Sequence, residues 1–423
     1  MNFFQNLLSS IMSRSLLKKS SYFRSKDFGV LHDDIDMALE SVMSKSGEVS
    51  SLVFAEHLSE LIEELDDKEF VKFFDAILEK YDIDVNSLMK ASNKYSQNKT
   101  QRNLEIILQT SQPKWVELFK RLNTANEGTL RLVRLRERIL QLKKDNPSLD
   151  FFDKSLLKLF KHWFNPSFLV LENIDWTTPA NILEKIIAYE AVHEINSWDD
   201  LRARLAPEDR KCFAFFHPLM PNEPLIFVEV ALSRGMPETI NEVIKIDRSV
   251  TLDQEINTAV FYSISNCQAG LSGISFGNFL IKKVAHKLKQ EISEIDKFVT
   301  LSPVPGLMRW MENHAPVTYE NCINKINDDE NLLKKIFLYL TESNREDNLP
   351  NDPVARFHLG NGAILHKINL HGDQSKKGMA QSHGVMINYL YDLDIVEKNH
   401  ELFFKNKEVV LSGEMKTLKK KHS

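Results

Sequence analysis

Three spaced glycines, a serine set between prolines, a histidine before an Asn-Gly pair and two alternating tyrosines are the residues here whose types and spacing suit chemistry. Val260–Ser265 alternates apolar and small polar side chains, as a half-buried strand does. Gly270, Gly273 and Gly277 follow at its exit, and Phe279, Leu280, Val284 and Leu288 then recur at helical spacing. A glycine-punctuated strand-to-helix turn lets backbone approach a ligand closely, and the first N–H groups of the helix form a seat for phosphate. The three-glycine dinucleotide fingerprint and the Gly-Lys-Ser/Thr of a P-loop are both missing. Two readings fit this stretch: a cradle for a phosphate-bearing ligand, or a tight turn packing a helix on a sheet. Lys282 and Lys283, one helical turn on, either meet such phosphates or form a solvated face.

Ser302 stands at the end of the strand-like run "FVTLSPVPG", with Pro303 and Pro305 stiffening the backbone beyond it. No base neighbours it in sequence and no nucleophile elbow surrounds it, so a hydrogen-bonding role suits it better than a covalent one. A serine that satisfies its own turn is the plainer reading. His358, in "PVARFHLGNGAILHKIN", titrates near neutrality when unperturbed and can give or take a proton. It is one of 13 histidines, and a structural place suits any of them. His366 and His371 lack the Cys, Asp or His spacing that would complete a metal site, so no metal is expected. Tyr389 and Tyr391 alternate in "GVMINYLYDLD" and project from one face of a strand.

The elements that must position these residues fall into two halves, giving an α+β fold class with expected domains at 1–162 and 163–423. From Asp33 to about Lys161, apolar residues repeat every three or four positions, the mark of an all-helical bundle suited to packing or oligomer contacts. Beyond Trp163, "FLVLENIDW", "KCFAFFHP", "PLIFVEVAL", "AVFYSIS", "KFVTLSP" and "GAILHKIN" read as short strands with helices between several of them. One of those helices is expected over "ANILEKIIAYEAVHEI", opened by Pro179. This half reads as a mixed α/β domain around one twisted sheet.

Composition narrows the classes. The 423 residues are 43% apolar and 27% charged, with a net charge of −5, which leaves no electrostatic footprint for nucleic acid. No apolar run reaches membrane-spanning length. Cys212, Cys267 and Cys322 are widely separated, as in a reduced intracellular protein. The first 26 residues are basic, serine-rich and free of acids, the composition of a transit peptide or of a docked first helix. The expected location is the cytoplasm, with the mitochondrial matrix as the alternative.

The turn that begins at Gln268 and runs through Gly270 and Gly273 into a helix resembles the pyrophosphate-binding turn of the GNAT acetyltransferase superfamily, which points to coenzyme A. Larger blocks resemble the malonyl-CoA decarboxylase family: "HWFNPSFLVLENIDWTTPANILEKIIAYEAVHEI", "FFHPLMPNEPLIFVEVAL", "VFYSISNCQAGLSGISFGNFLIKKV", "TLSPVPGLMRW" and "DPVARFHLGNGAILHKIN", in order through the second half. The resemblance implies a helical domain followed by a GNAT acetyltransferase-like domain. It implies conversion of malonyl-CoA to acetyl-CoA and carbon dioxide without metal or organic cofactor, a place in fatty-acid metabolism, and a homo-oligomer (dimer or tetramer). The family's catalytic pair falls on Ser302 and His358. Its malonyl-CoA-binding segment falls on Ser272, Gly273, Ile274, Ser275, Phe276, Gly277 and Asn278, and a tyrosine near the reacting group falls on Tyr391. Some relatives carry glutamate where this chain has Ser275, so no third carboxylate is carried over. The stretch between Arg309 and Asp352 matches little. The rival expectation is an acyl-CoA-dependent acetyltransferase, which would need an amine acceptor; a second is a non-catalytic coenzyme A sensor.

Overall fold

The computed structural model describes residues 30–44, 48–246, 250, 255–326, 328–342 and 347–422, so the basic stretch 1–26 lies outside the described residues. The chain divides into two compact units. One is Met1–Asn165 with Gln268–Ile274, and the other is Pro166–Cys267 with Ser275–Ser423.

The described residues of the first unit up to Asn165 form eight helices: α1 (Val30–Met43), α2 (Glu48–Glu64), α3 (Asp67–Tyr81), α4 (Val85–Gln97), α5 (Gln101–Thr110), α6 (Trp115–Leu122), α7 (Gly128–Leu142) and α8 (Leu149–Trp163). In α3 the buried Phe70, Phe73, Phe74 and Ile77 follow the i, i+3, i+4, i+7 pattern, and Asp66 and Glu69 close a capping box at its start. Phe74 and Trp115 both pack on Phe152 of α8, at ring-centroid distances of 4.7 and 5.3 Å. Each fully buried aromatic of this kind contributes about 1.5–3 kcal/mol. The break expected at Pro113 separates α5 from α6.

The second unit is built on an eight-stranded sheet: β1 (Val170–Ile174), β2 (Arg210–Phe216), β3 (Ile226–Ser233), β4 (Thr258–Asn266), β5 (Lys297–Thr300), β6 (Ser302–Pro303), β7 (Ile364–Asn369) and β8 (Met386–Tyr391). β1 to β4 form an antiparallel meander, β4 and β5 run parallel, and β8 pairs with β5 and β6 on one edge and with β7 on the other. The helices are α9 (Ala180–Tyr189), α10 (Trp198–Leu205), α11 (Asn241–Ile244), α12 (Gly277–Glu291), α13 (Leu307–His314), α14 (Pro316–Ile323), α15 (Asp329–Thr341), α16 (Pro353–Gly360), α17 (Lys376–Ser382), α18 (Val396–Asn406) and α19 (Gly413–His422). Central strands such as β3 and β4 are buried along nearly their whole length, as their apolar runs require. The chain therefore has the α+β class and helical-then-mixed order that its periodicity implies. One helix is shorter than expected: α9 stops at Tyr189, and "EAVHEI" is irregular. There the Glu190 carboxylate accepts the N–H groups of Val192 and His193, and the side chain replaces the helical carbonyl as acceptor. Among the described residues, no helix is long and apolar enough to cross a membrane.

Candidate active site

A gap in the sheet creates the site. β4 pairs with β5 only over Thr258–Phe261, and the last bond on that edge runs from the Leu301 N–H to the Phe261 carbonyl at 3.0 Å. Beyond it the chain turns away, and Ser302 and Pro303 pair with Ile387 and Met386 of β8 instead. A register shift between Glu229 and Val230 leaves Tyr262 as the extra residue of β4. In a regular strand Phe261 and Tyr262 would face opposite ways; at this bulge both reach the same cavity. The cavity measures about 290 Å³. Tyr262, Ile264 and Asn266 of β4 line one wall, Ser302 and Pro303 another, and Pro353, Val354, Phe357 and His358 of α16 a third.

α16 exists to present His358. Pro353 occupies its first turn, where a missing N–H costs nothing, and the buried Asp352 caps it by accepting the Ala355 N–H at 2.6 Å. Burial raises the Asp352 carboxyl to about 6, and the bond from the Ala355 N–H opposes that rise. The imidazole of His358 is 3% exposed and is held on three sides. Its Nε2 lies 3.1 Å from Ser302 Oγ and its Nδ1 2.9 Å from the Tyr391 hydroxyl. Its ring stacks on that of Tyr389 at 4.7 Å. Ser302 Oγ also donates to Thr300 Oγ1 at 2.9 Å. The two tyrosines thus meet one target from one face of β8, as their alternation requires. Ser302, which has no base beside it in sequence, has one in space, 56 residues further along.

Burial without a compensating charge pushes His358 down to about 3. The imidazole is therefore neutral at physiological pH. Burial raises Tyr391, whose phenol stays protonated. With the Tyr391 O–H donating to Nδ1, Nε2 carries the proton and donates to Ser302 Oγ, and the Ser302 O–H is directed at Thr300. A neutral imidazole fixed in one tautomer beside a hydroxyl suits the placing of an anionic ligand and the delivery of one proton. In nitrogen-resolved NMR of the unliganded protein, His358 is expected to keep its neutral signature as pH falls from 8 to about 5, well below the ordinary midpoint of histidine. A midpoint near that ordinary value would contradict the burial argument.

The segment Ser272–Asn278 is placed differently from its glycines' simplest reading. A Cβ on Gly270 would lie 1.9 Å from the Val133 carbonyl oxygen of α7, so that glycine allows the chain to approach its own backbone rather than a ligand. A Cβ on Gly277 would meet the Phe357 ring at 2.4 Å, so the start of α12 packs directly on the helix that carries His358. Gly273 has a left-handed φ of +86°, which a larger residue would adopt only with strain. Ser272, Gly273 and Ser275 are exposed, Ile274 is half-buried, Phe276 and Gly277 are buried, and Asn278 lies in the first turn of α12. None of residues 272–277 lines the Ser302–His358 cavity, which meets Gly277 through Phe357. Lys282 is bonded to Glu397 at 2.6 Å, and Lys283 lies 5.2 Å from the centre of the Phe279 ring.

Two features had little or no signal in the sequence. Arg136, on a helix that reads as packing alone, is buried, pairs with Asp153 at 2.8 Å and donates to the carbonyls of Gly270 and Ser272. It fixes the glycine turn from inside the helical unit. Glu190 accepts from Ser263 and Ser265 of β4, on the strand that walls the cavity. The i, i+2 spacing of those serines is the one hint that they share a face. Among the described residues no cluster of three His, Cys, Asp or Glu side chains is arranged for a metal.

Comparison with known proteins gives concordant matches. The family model of the malonyl-CoA decarboxylase C-terminal domain matches residues 167–336 and 320–423, and that of the N-terminal domain matches 81–164. The mitochondrial malonyl-CoA decarboxylase of the goose Anser anser anser is 33% identical over 350 residues, covering 72% of this chain and 69% of that protein. The mouse protein of the same name is 30% identical over 351 residues, covering 72% and 71%. The crystal structure of malonyl-CoA decarboxylase from Agrobacterium vitis superposes with a TM-score of 0.86 at 42% identity, over 91% of this chain and 99% of that one. The Rhodopseudomonas palustris structure gives 0.85 at 41%, with the same coverage.

Proposed function

Because this chain belongs to the malonyl-CoA decarboxylase family and is a carboxy-lyase, we propose that Ser302, His358 and Tyr391 together carry the conversion of malonyl-CoA to acetyl-CoA and carbon dioxide. The observation behind this reading is the bonded line Ser302–His358–Tyr391 opening into a largely apolar cavity. In decarboxylation the bond between the α-carbon and the carboxylate breaks, and its electron pair passes into the thioester as an enolate. CO2 leaves neutral, and the α-carbon then takes one proton. Ser302 turns its O–H from Thr300 to the malonyl carboxylate and sets its angle, so that the breaking bond lies across the thioester plane. Apolar neighbours such as Ile226, Ile264 and Val354 strip water from that carboxylate, whose charge is dispersed as the bond breaks.

A neutral imidazole is not a standing acid. The arriving carboxylate favours the imidazolium, an opposite charge raising its pKa. His358 then gives the proton to the enolate carbon, directly or through a water it holds. The added proton comes from solvent and enters at Nδ1, where the Tyr391 hydroxyl turns from donor to acceptor, so that Nε2 keeps the proton to be delivered. We assign the segment Ser272–Asn278 to the coenzyme A moiety, on the left-handed backbone at Gly273 and the N-terminal end of α12 that follows it.

The decisive assay is purified protein with malonyl-CoA in D2O. CO2 and acetyl-CoA are expected in equal amounts without any amine acceptor, and each acetyl group should carry one deuterium from solvent. Consumption that waits for an acceptor would replace this reading with acyl transfer. We further propose a cytoplasmic homo-oligomer. The exposed Val85, Met89, Leu104 and Leu108 of the α4–α5 hairpin are the apolar surface that supports association. Sedimentation velocity distinguishes dimer from tetramer, and a monomer would refute association.

A further inference from the structure

We propose that Val192 limits how large a substituent the substrate's α-carbon can carry, making this side chain the determinant of selectivity among 2-alkylmalonyl thioesters; the inference rests on the assignment of the reaction to the Ser302–His358 cavity. The turn that follows α9 has no helix or strand to hold it, yet side chains bind its backbone at nearly every group. The Ala191 N–H donates to Ser265 Oγ at 3.2 Å, and the Val192 and His193 N–H groups donate to Glu190 Oε1, each at 2.8 Å. Lys377 Nζ donates to the carbonyls of Ala191 and Val192 at 2.8 and 3.1 Å. Arg204 donates to those of His193 and Glu194 at 2.8 and 3.0 Å, and is itself anchored by Glu229 at 3.1 Å. Glu190 is fixed in turn by Ser263 at 2.7 Å.

This clamp draws on β3, β4, α10 and α17, more than a connection between two helices needs. The side chain it delivers to the cavity is Val192, which lines the same cavity as Ser302 and His358, the groups assigned to the substrate's reacting end. A β-branched side chain has one strongly preferred rotamer, so on a clamped turn it forms a wall that does not give way. An unclamped wall would yield to a bulkier acyl group; this one rejects it. A misfit of one methylene in such a site changes kcat/KM by about 10–200-fold.

The experiment compares malonyl-CoA with ethylmalonyl-CoA on wild type and variants. Val192→Ala is expected to move the kcat/KM ratio towards ethylmalonyl-CoA by about tenfold or more, and Val192→Leu to move it the other way. Opposite signs cannot come from general damage to the fold. Lys377→Met, which releases the clamp without touching the cavity, should shift the ratio in the Val192→Ala direction, and Lys377→Arg should hold it. Ratios within about twofold of wild type in both Val192 variants would overturn the proposal. Dissociation constants for both thioesters are measured alongside. If neither thioester releases CO2, the assignment of the reaction fails, and the ratio of dissociation constants then tests the role of Val192 by the same twofold criterion.

Discussion

Replacing His358 with alanine is expected to lower kcat by about 10²–10⁴-fold while malonyl-CoA still binds. The imidazole contacts the reacting end of the cavity, and the seat assigned to coenzyme A lies in a different segment, so chemistry and affinity should separate. The loss has two parts. The group assigned to pass a proton to the enolate carbon is gone, and the Tyr391 hydroxyl loses its 2.9 Å partner. Removing that partner from a buried hydroxyl costs stability of about 0.5–1.5 kcal/mol, so melting temperature must be recorded beside turnover. Isothermal calorimetry with malonyl-CoA supplies the binding arm. A folded His358→Ala protein with near-normal CO2 release would remove the histidine from the mechanism. Loss of binding together with activity would move its role from proton transfer to substrate seating.

Ser302→Ala should lower kcat by about 10²-fold or more, because the carboxylate is no longer held with the breaking bond across the thioester plane. A hundredfold loss corresponds to about 2.7 kcal/mol of barrier. The substitution is structurally mild. The β6 backbone still pairs with β8, and Pro303 and Pro305 still stiffen the turn. KM should rise modestly as well, because the bond to the carboxylate is already made before the bond breaks, while the thioester is held elsewhere. A serine that merely satisfied its own turn would show the reverse pattern, a small stability change with turnover intact. Stopped-flow release of CO2 under saturating malonyl-CoA reads the difference directly. The two losses should not add in a double variant: Ser302 and His358 share a hydrogen bond, and residues that act as a unit are not independent.

Much of this protein was legible along the chain because the relevant physics is local. The 3.6-residue apolar repeat of "KEFVKFFDAILEKY" dictates α3, and the alternation of "AVFYSIS" dictates β4. The order of blocks from Trp163 onward is itself a strong family signal. "EAVHEI" was misleading for the same reason: its apolar spacing continues the helix, but the Glu190 side chain competes for N–H groups the helix would have used. The glycine turn was ambiguous because a glycine reports only that something comes close. At Gly270 and Gly277 the neighbours are Val133 and Phe357, both far away in sequence.

The residue types and their local spacing determined by themselves that this chain carries a helical half followed by a mixed half built on short strands. Tertiary structure alone decided that His358 lies against Ser302 and Tyr391, that it is neutral, and that Val192 walls the same cavity. The reason is that hydrogen-bond partners and desolvation depend on which strands part and which helix fills the gap. β4 and β5 separate at Phe261, α16 enters beside them, and an ordinary histidine becomes a buried one with its pKa driven far down.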